Sequence, residues 1–157
     1  MNSETTEYWE YMQRPYRLEK SDQPGAVSGR VGFFIDRRTG EYIEDNTPID
    51  NILWPDPTTD GFWREHDSFQ RDRNWYVDAV EHERMQYLRG EGTIFALYEV
   101  IEATRDQARG RGRMTPEERA LVHSLTNKTF DMWEEEIARR ATGEPPAFSV
   151  TSIVDHP

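Results

Sequence analysis

The sequence predicts a mainly α protein: three or four helices in a small bundle, with an N-terminal β-hairpin and extended N- and C-terminal arms. Three observations point there. From Thr59 to Arg140 the apolar residues recur at a helical period instead of alternating. Clear alternation is confined to Val31, Phe33 and Ile35 against Phe34 and Asp36, followed by the turn residues RRTG and the return EYIE. The first thirty residues are polar and interrupted by Pro15, Pro24 and Gly25. On this reading the chain divides into an extended N-terminal arm (1–30), a hairpin plus helical domain (31–143) and a C-terminal tail (144–157).

Each element follows from local chemistry. In the arm, Ser3 can cap a short helix that stops before Pro15, because the residue ahead of a proline is pushed out of the α region. In the hairpin, Gly40 supplies a left-handed turn residue, and two strands alone are marginal in water, so the hairpin is expected to lie on helices or join a neighbouring sheet. Pro48, Pro55 and Pro57 then predict an extended connector pinned by Ile49, Ile52, Leu53 and Trp54. Thr59 or Asp60 caps a helix whose stripe of Phe62, Phe69, Tyr76, Val80 and Tyr87 reaches Gly90. A helix of that length would span on the order of 45 Å, so a break is expected near Asp72–Asn74. Ile94, Leu97, Tyr98, Ile101 and Ala108 form the inner face of the next helix. The third begins at Thr115, since Thr115, Pro116, Glu117 and Glu118 form a capping box with proline at the first helical position. Arg139 and Arg140 suit its last turn and Gly143 ends it. The tail alternates Phe148, Val150 and Val154 and can add a strand.

Composition bounds the function. Hydrophobic residues make up 35% and charged residues 31%, which leaves little apolar surface for a core. Five tryptophans, seven tyrosines and seven phenylalanines set the chain apart from a disordered acidic polymer. A folded protein with a thin core, completing its burial on a partner, is the expectation. The absence of cysteine excludes disulfides, iron–sulfur clusters, thiolate zinc sites and cysteine nucleophiles. The N-terminus has no basic segment followed by an apolar one, and no apolar run approaches the ~20 residues of a membrane span. A cytoplasmic protein without membrane contact is therefore expected. The net charge of −11 argues against binding a polyanion, so the loop QARGRGRMTPEER reads as a hinge between two helices, not a nucleic-acid grip.

Two sets of residues are candidates for a site. Tyr8, Trp9, Tyr11, Met12, Arg14 and Tyr16 in the arm, together with Trp54, are the mixture enriched at the centres of protein interfaces. They predict a small non-catalytic accessory or adaptor subunit that wraps a larger protein subunit, or that forms a homo-oligomer. The alternative is a stand-alone helical enzyme or ligand- or metal-binding domain built from Asp78 and His82, one helical turn apart, with Glu99 and His123. Against it, no histidine follows a glutamate at the Glu-x-x-His spacing of a di-iron bundle, and no nucleophile elbow, phosphate loop or dinucleotide fingerprint occurs. Ser124 and His123 are adjacent and diverge by ~100° on a helix, so they cannot pair as nucleophile and base. The runs EHER and WEEEI read as wet helix faces. No catalytic residue, metal or cofactor is expected.

Overall fold

The computed structural model describes residues 5–54 and 68–155 and has a mixed α/β fold, not the mainly α bundle. Its elements in order are β1 (Thr6–Tyr11), β2 (Arg14–Lys20), β3 (Arg30–Ile35), β4 (Tyr42–Glu44), α1 (Pro48–Leu53), β5 (Ser68–Arg71), α2 (Arg73–Tyr87), β6 (Leu88–Gly90), α3 (Thr93–Arg111), α4 (Pro116–Ala141) and β7 (Val150–Ser152), closed by a 3-10 turn at Ile153–Asp155. Strands β4-β3-β2-β1-β5 form one antiparallel sheet, and β6 and β7 form a second. The chain divides into two units: residues up to Asp36 with Tyr42–Val80, and Arg37–Glu41 with the residues from Glu81 onward.

The correction to the fold class begins with residues 6–20, which are sheet and not an extended arm. Glu7, Trp9 and Tyr11 face one way and Thr6, Tyr8 and Glu10 the other, a period of two in residues whose aromatic side chains favour a pleated surface. Pro15 stops a helix but tolerates a strand. It precedes Arg17, the first residue of β2 in register with β3, and the Ile35 carbonyl that would face it in an extended register accepts from Arg14 Nη2 at 2.8 Å. With β1 on one side and β3 on the other, β2 is the middle strand of the five. The hairpin of β3 and β4 forms as predicted, with Gly40 at φ 80°, but as part of this larger sheet.

One face of the sheet carries the first unit's core. Cross-strand neighbours share a face, so Trp9, Tyr16 and Phe34 form a row, with Leu18 beside it; Tyr16 and Phe34 stand 4.7 Å apart. Ile49 and Ile52 of α1 close over that row. Within the connector expected to be extended, Pro48–Leu53 is a helix, because Pro48 occupies the first helical position, where its missing N–H breaks no bond; Pro55 and Pro57 lie outside the described residues. The Asp45 carboxylate accepts from the Thr47 amide at 3.0 Å and the Thr47 hydroxyl at 2.7 Å, holding the turn into the helix. The Tyr16 hydroxyl donates to the Asp45 carbonyl at 2.6 Å, and the Gly32 amide donates to Asn46 Oδ1 at 2.8 Å.

In the second unit, α3 and α4 follow the sequence closely. Ile94, Tyr98, Ile101 and Ala108 are buried as the helical period requires, and Thr115 caps α4 through a complete capping box. The expected helix from Thr59 to Gly90 is shorter: Phe69 lies in β5, α2 starts at Arg73 with the Asp72 carboxylate accepting from the Trp75 amide at 2.8 Å, and residues 88–90 are strand. Thr59, Asp60 and Phe62 lie outside the described residues. The tail adds the strand expected of it, β7 on β6. Among the described residues no helix is long and apolar enough to cross a membrane.

Gly32 is where the sheet's sequence is most constrained, since a Cβ there would overlap the Tyr16 hydroxyl and ring. Gly32→Ala is expected to destabilise the protein by about 1–3 kcal/mol or more, as overpacking a filled core does. Urea denaturation checks this, and the double variant Gly32→Ala/Tyr16→Leu should recover part of the loss by removing the clash.

Candidate functional site

The seven aromatic, methionine and arginine positions split into two groups. Tyr8 stacks on Tyr76 of α2 with ring centres 4.7 Å apart. Trp9 and Tyr11 pack at the border of the sheet core, and the Trp9 indole N–H is buried with no hydrogen-bond partner among the described residues. The Arg14 guanidinium lies over the Phe34 ring at 4.6 Å. Tyr16 is fully buried, and burial, followed by the nearby Asp45 carboxylate, drives its hydroxyl far above the usual tyrosine range, so it stays protonated. These five side chains are occupied within their own unit. The remaining two face water: Met12 is 61% exposed and Trp54 is 71% exposed.

Local geometry fixes the backbone around Met12 and ties its hairpin to the helix that precedes Trp54. Tyr11 and Arg14 are the last pair of the β1–β2 ladder, which leaves Met12 and Gln13 as a two-residue hairpin turn. Both have positive φ, 47° and 66°, the backbone that such turns need for the strand twist and that Asn-Gly normally supplies. For side chains with a Cβ this left-handed backbone costs on the order of 1 kcal/mol per residue. The Tyr11 hydroxyl accepts from Asn51 Nδ2 at 3.1 Å, and Trp54 follows Asn51 by one helical turn. Tyr11, which precedes Met12, and Asn51, three residues before Trp54, thus tie the β1–β2 hairpin to α1.

The acid and histidine set is not assembled. Asp78 and His82 are exposed on α2, and Glu99 and His123 are exposed on α3 and α4. His82 and Glu99 do line one groove of about 810 Å³, whose floor includes Leu88, Phe95 and Tyr98, but neither Asp78 nor His123 lines it. His123 instead takes Asn127, one turn along α4, as its neighbour. Among the described residues no group of three acidic, histidine or cysteine side chains is arranged to hold a metal ion.

The cluster that sequence reasoning missed lies inside the second unit. EHER is not a wet face: Glu81, Glu83 and Arg84 are buried and only His82 is exposed. Glu81 Oε1 accepts from Arg84 Nη1 at 2.8 Å, and Oε2 accepts from the Tyr98 hydroxyl at 2.5 Å and from the Thr129 hydroxyl at 2.9 Å. Trp133 Nε1 donates to the Tyr98 oxygen at 2.9 Å, and Arg84 Nε donates to the Gly40 carbonyl at 2.9 Å while its guanidinium stacks on Trp133 at 4.6 Å. Burial, reinforced by the Glu81 carboxylate, raises the Tyr98 hydroxyl well above its ordinary range and keeps its proton in place. With both oxygens accepting from donors inside the core, the Glu81 carboxylate ties α2, α3 and α4 together. The one signal in the sequence was the i,i+3 pair Glu81 and Arg84 on the same stripe as Val77 and Val80.

The WEEEI run is also partly internal. Glu136 is buried and accepts from Arg139 Nη1 at 2.6 Å, Arg140 Nε at 2.9 Å and the Ala147 amide at 2.9 Å. Burial works to raise its pKa, but the Ala147 amide and the two arginines outweigh it and hold the carboxyl below its ordinary range.

Two outcomes follow. Glu81→Ala is expected to cost about 3–5 kcal/mol by stranding the Arg84 charge, while Glu81→Leu/Arg84→Met recovers most of it, as read from urea midpoints. A carboxyl whose folded pKa is depressed contributes stability above its unfolded value and loses it as pH falls through the folded one. The stability difference between the wild-type protein and Glu136→Gln should therefore be largest above about pH 5 and shrink as the pH drops below about 4; midpoints compared at pH 6 and pH 3 test the sign.

Comparison of this chain with protein-family models, with curated proteins and with solved structures finds no match.

Proposed function

We propose that the protein is a non-catalytic accessory or adaptor module that docks a larger protein through the end of its sheet where Met12 and Trp54 are exposed. The observation that carries this reading is the β1–β2 turn: an exposed methionine is held in a left-handed backbone conformation that glycine or asparagine would adopt at lower cost. Strain kept at a surface position points to a use for the side chain that the strain presents. An exposed flexible thioether and an exposed large indole are the residue types that fill pockets on a partner.

The occupant favoured is a different protein with a basic rim around an apolar pocket. A contact between two copies would bring together surfaces of chains with net charge −11, whereas a basic partner gains from the same field. Docking takes the place of wrapping, because residues 6–11 and 14–20 of the expected arm are built into the sheet as β1 and β2.

The test separates docking from folding. Met12→Asn/Gln13→Gly installs the turn's preferred residues, so thermal stability is expected to rise, by about 1 kcal/mol or more, while the partner recovered from native extract by wild-type bait is lost. Trp54→Ser should weaken the same capture at unchanged stability. A concentration-dependent dimer by light scattering that both variants abolish would assign the patch to self-association, and undiminished capture by both would refute the docking role.

A further inference from the structure

We propose that the three arginines Arg105, Arg109 and Arg113 form a binding site for a phosphate monoester at the turn between α3 and α4. A hollow of about 250 Å³ is lined by these three side chains with Ala108, Gly112 and Met114, and no carboxylate lines it. It lies in the second unit, and its existence is independent of the docking patch.

The turn's construction aims the charges. Arg105 and Arg109 are four residues apart and share one face of α3. Gly112 ends the helix in a left-handed conformation, φ 81°, and the chain reverses so that the Arg113 amide donates to the Ala108 carbonyl and the Gly112 amide to the Arg109 carbonyl, each at 3.1 Å. Those bonds occupy the Ala108 and Arg109 carbonyls, two of the four at this helix C-terminus that would otherwise repel an anion. They also bring Arg113 back beside Arg109. A Cβ added at Gly110 or Gly112 would meet nothing within 4 Å, so no neighbouring side chain covers the turn.

The arginines of the RGRGR motif have separate duties. Arg111 is engaged by Glu118, the carboxylate of the α4 capping box. Arg109 pairs with Asp106 at 2.5 Å, but these side chains are 70% and 63% exposed; Arg105 reaches Glu102 only at 3.9 Å. Surface pairs of this kind are worth about 0–1 kcal/mol, little enough for a dianion to displace. Arg113 has no carboxylate within ion-pair distance among the described residues. Three guanidiniums matched to three peripheral oxygens favour a tetrahedral dianion, which planar forks can grip two oxygens at a time. A single phosphate group fits better than a nucleic-acid backbone, because Glu102 and Asp106 stand next to two of these arginines and the chain's charge of −11 repels an extended polyanion. The phosphate can be carried by a small metabolite or by a phosphorylated side chain of a protein.

Amide chemical shifts of the full chain are followed while inorganic phosphate, phosphoserine and a phosphoserine peptide are titrated at constant ionic strength, with Lys128→Gln as control. The expected result is a saturable change centred on Gly112 and Arg113, weakened at least about tenfold by Arg113→Gln and by Arg105→Gln, partly restored by Arg113→Lys and unaltered in the control. Tighter binding of the peptide than of phosphoserine identifies a protein-borne phosphate, and equal binding a small monoester; either upholds the site. Shifts that do not saturate, that chloride reproduces at the same ionic strength, or that persist in Arg113→Gln overturn it. Unchanged far-ultraviolet circular dichroism in each variant shows that the fold is retained.

Discussion

The second unit is organised around one carboxylate. Glu81 receives Arg84 from its own helix, Tyr98 from α3 and Thr129 from α4, so the three long helices meet at two oxygen atoms. Arg84 extends the same centre to the loop between β3 and β4 through the Gly40 carbonyl. Gly40 is required twice: its φ of 80° is left-handed, and a Cβ there would stand 2.6 Å from Trp133 and 2.7 Å from Leu88. A buried ion pair stabilises a core only modestly against an apolar replacement of the same shape. What Glu81 contributes is selectivity among packings, because a helix rotated or shifted by one residue would leave a charge or a hydroxyl buried without its partner.

The local signals in the sequence were reliable where a short-range rule decides the structure, and failed where neighbours in space decide it. The capping box at Thr115 and the inner face of α3 depend on residues within one or two turns, and both were legible. The hairpin at Arg30–Glu44 was legible for the same reason. The first strands were not, since TEYWEY becomes a strand through pairing with residues 14–19 and 68–71, and polar residues on its alternating faces resemble a solvated segment until the partners are known. Likewise Glu81 and Arg84 satisfy the pattern of a surface ion pair; only Tyr98, Thr129 and Gly40, distant in sequence, take them inside. Of the candidate site, the residue types at Met12 and Trp54 were legible, but not which of the seven would be exposed: Tyr16 belongs to the interface mixture by type and to the core by position.

The low aliphatic content has a structural answer that composition alone conceals. Arginines lie on aromatic rings throughout: Arg14 on Phe34, Arg17 on Phe33 and Tyr42, Arg37 on Tyr87, Arg84 on Trp133 and Arg140 on Phe148. Most of these guanidiniums also hold a carboxylate, as Arg17 holds Glu19, Arg37 holds Glu83 and Arg140 holds Glu136. Each such stack is worth roughly 0.5–2 kcal/mol, rising with burial, and those that also hold a carboxylate bring an acidic residue close to a ring. Aromatic surplus and charge surplus are therefore one device, in which ring, guanidinium and carboxylate together do what aliphatic side chains do in a richer core.

That device changes what an exposed apolar residue means in this chain. If the aromatic residues were simply unburied for want of a core, exposure would be spread over all of them. Among the described aromatic residues it is instead uneven: Tyr16, Tyr76 and Trp133 are almost wholly buried, Phe69 is 37% exposed and Trp54 is 71% exposed. Met12 makes the same point from the backbone, because the turn that carries it uses the conformation least suited to its side chain. A chain able to enclose its rings with arginine and glutamate had the means to cover these two positions as well, which is why the docking role proposed above is built on them and not on the thin core.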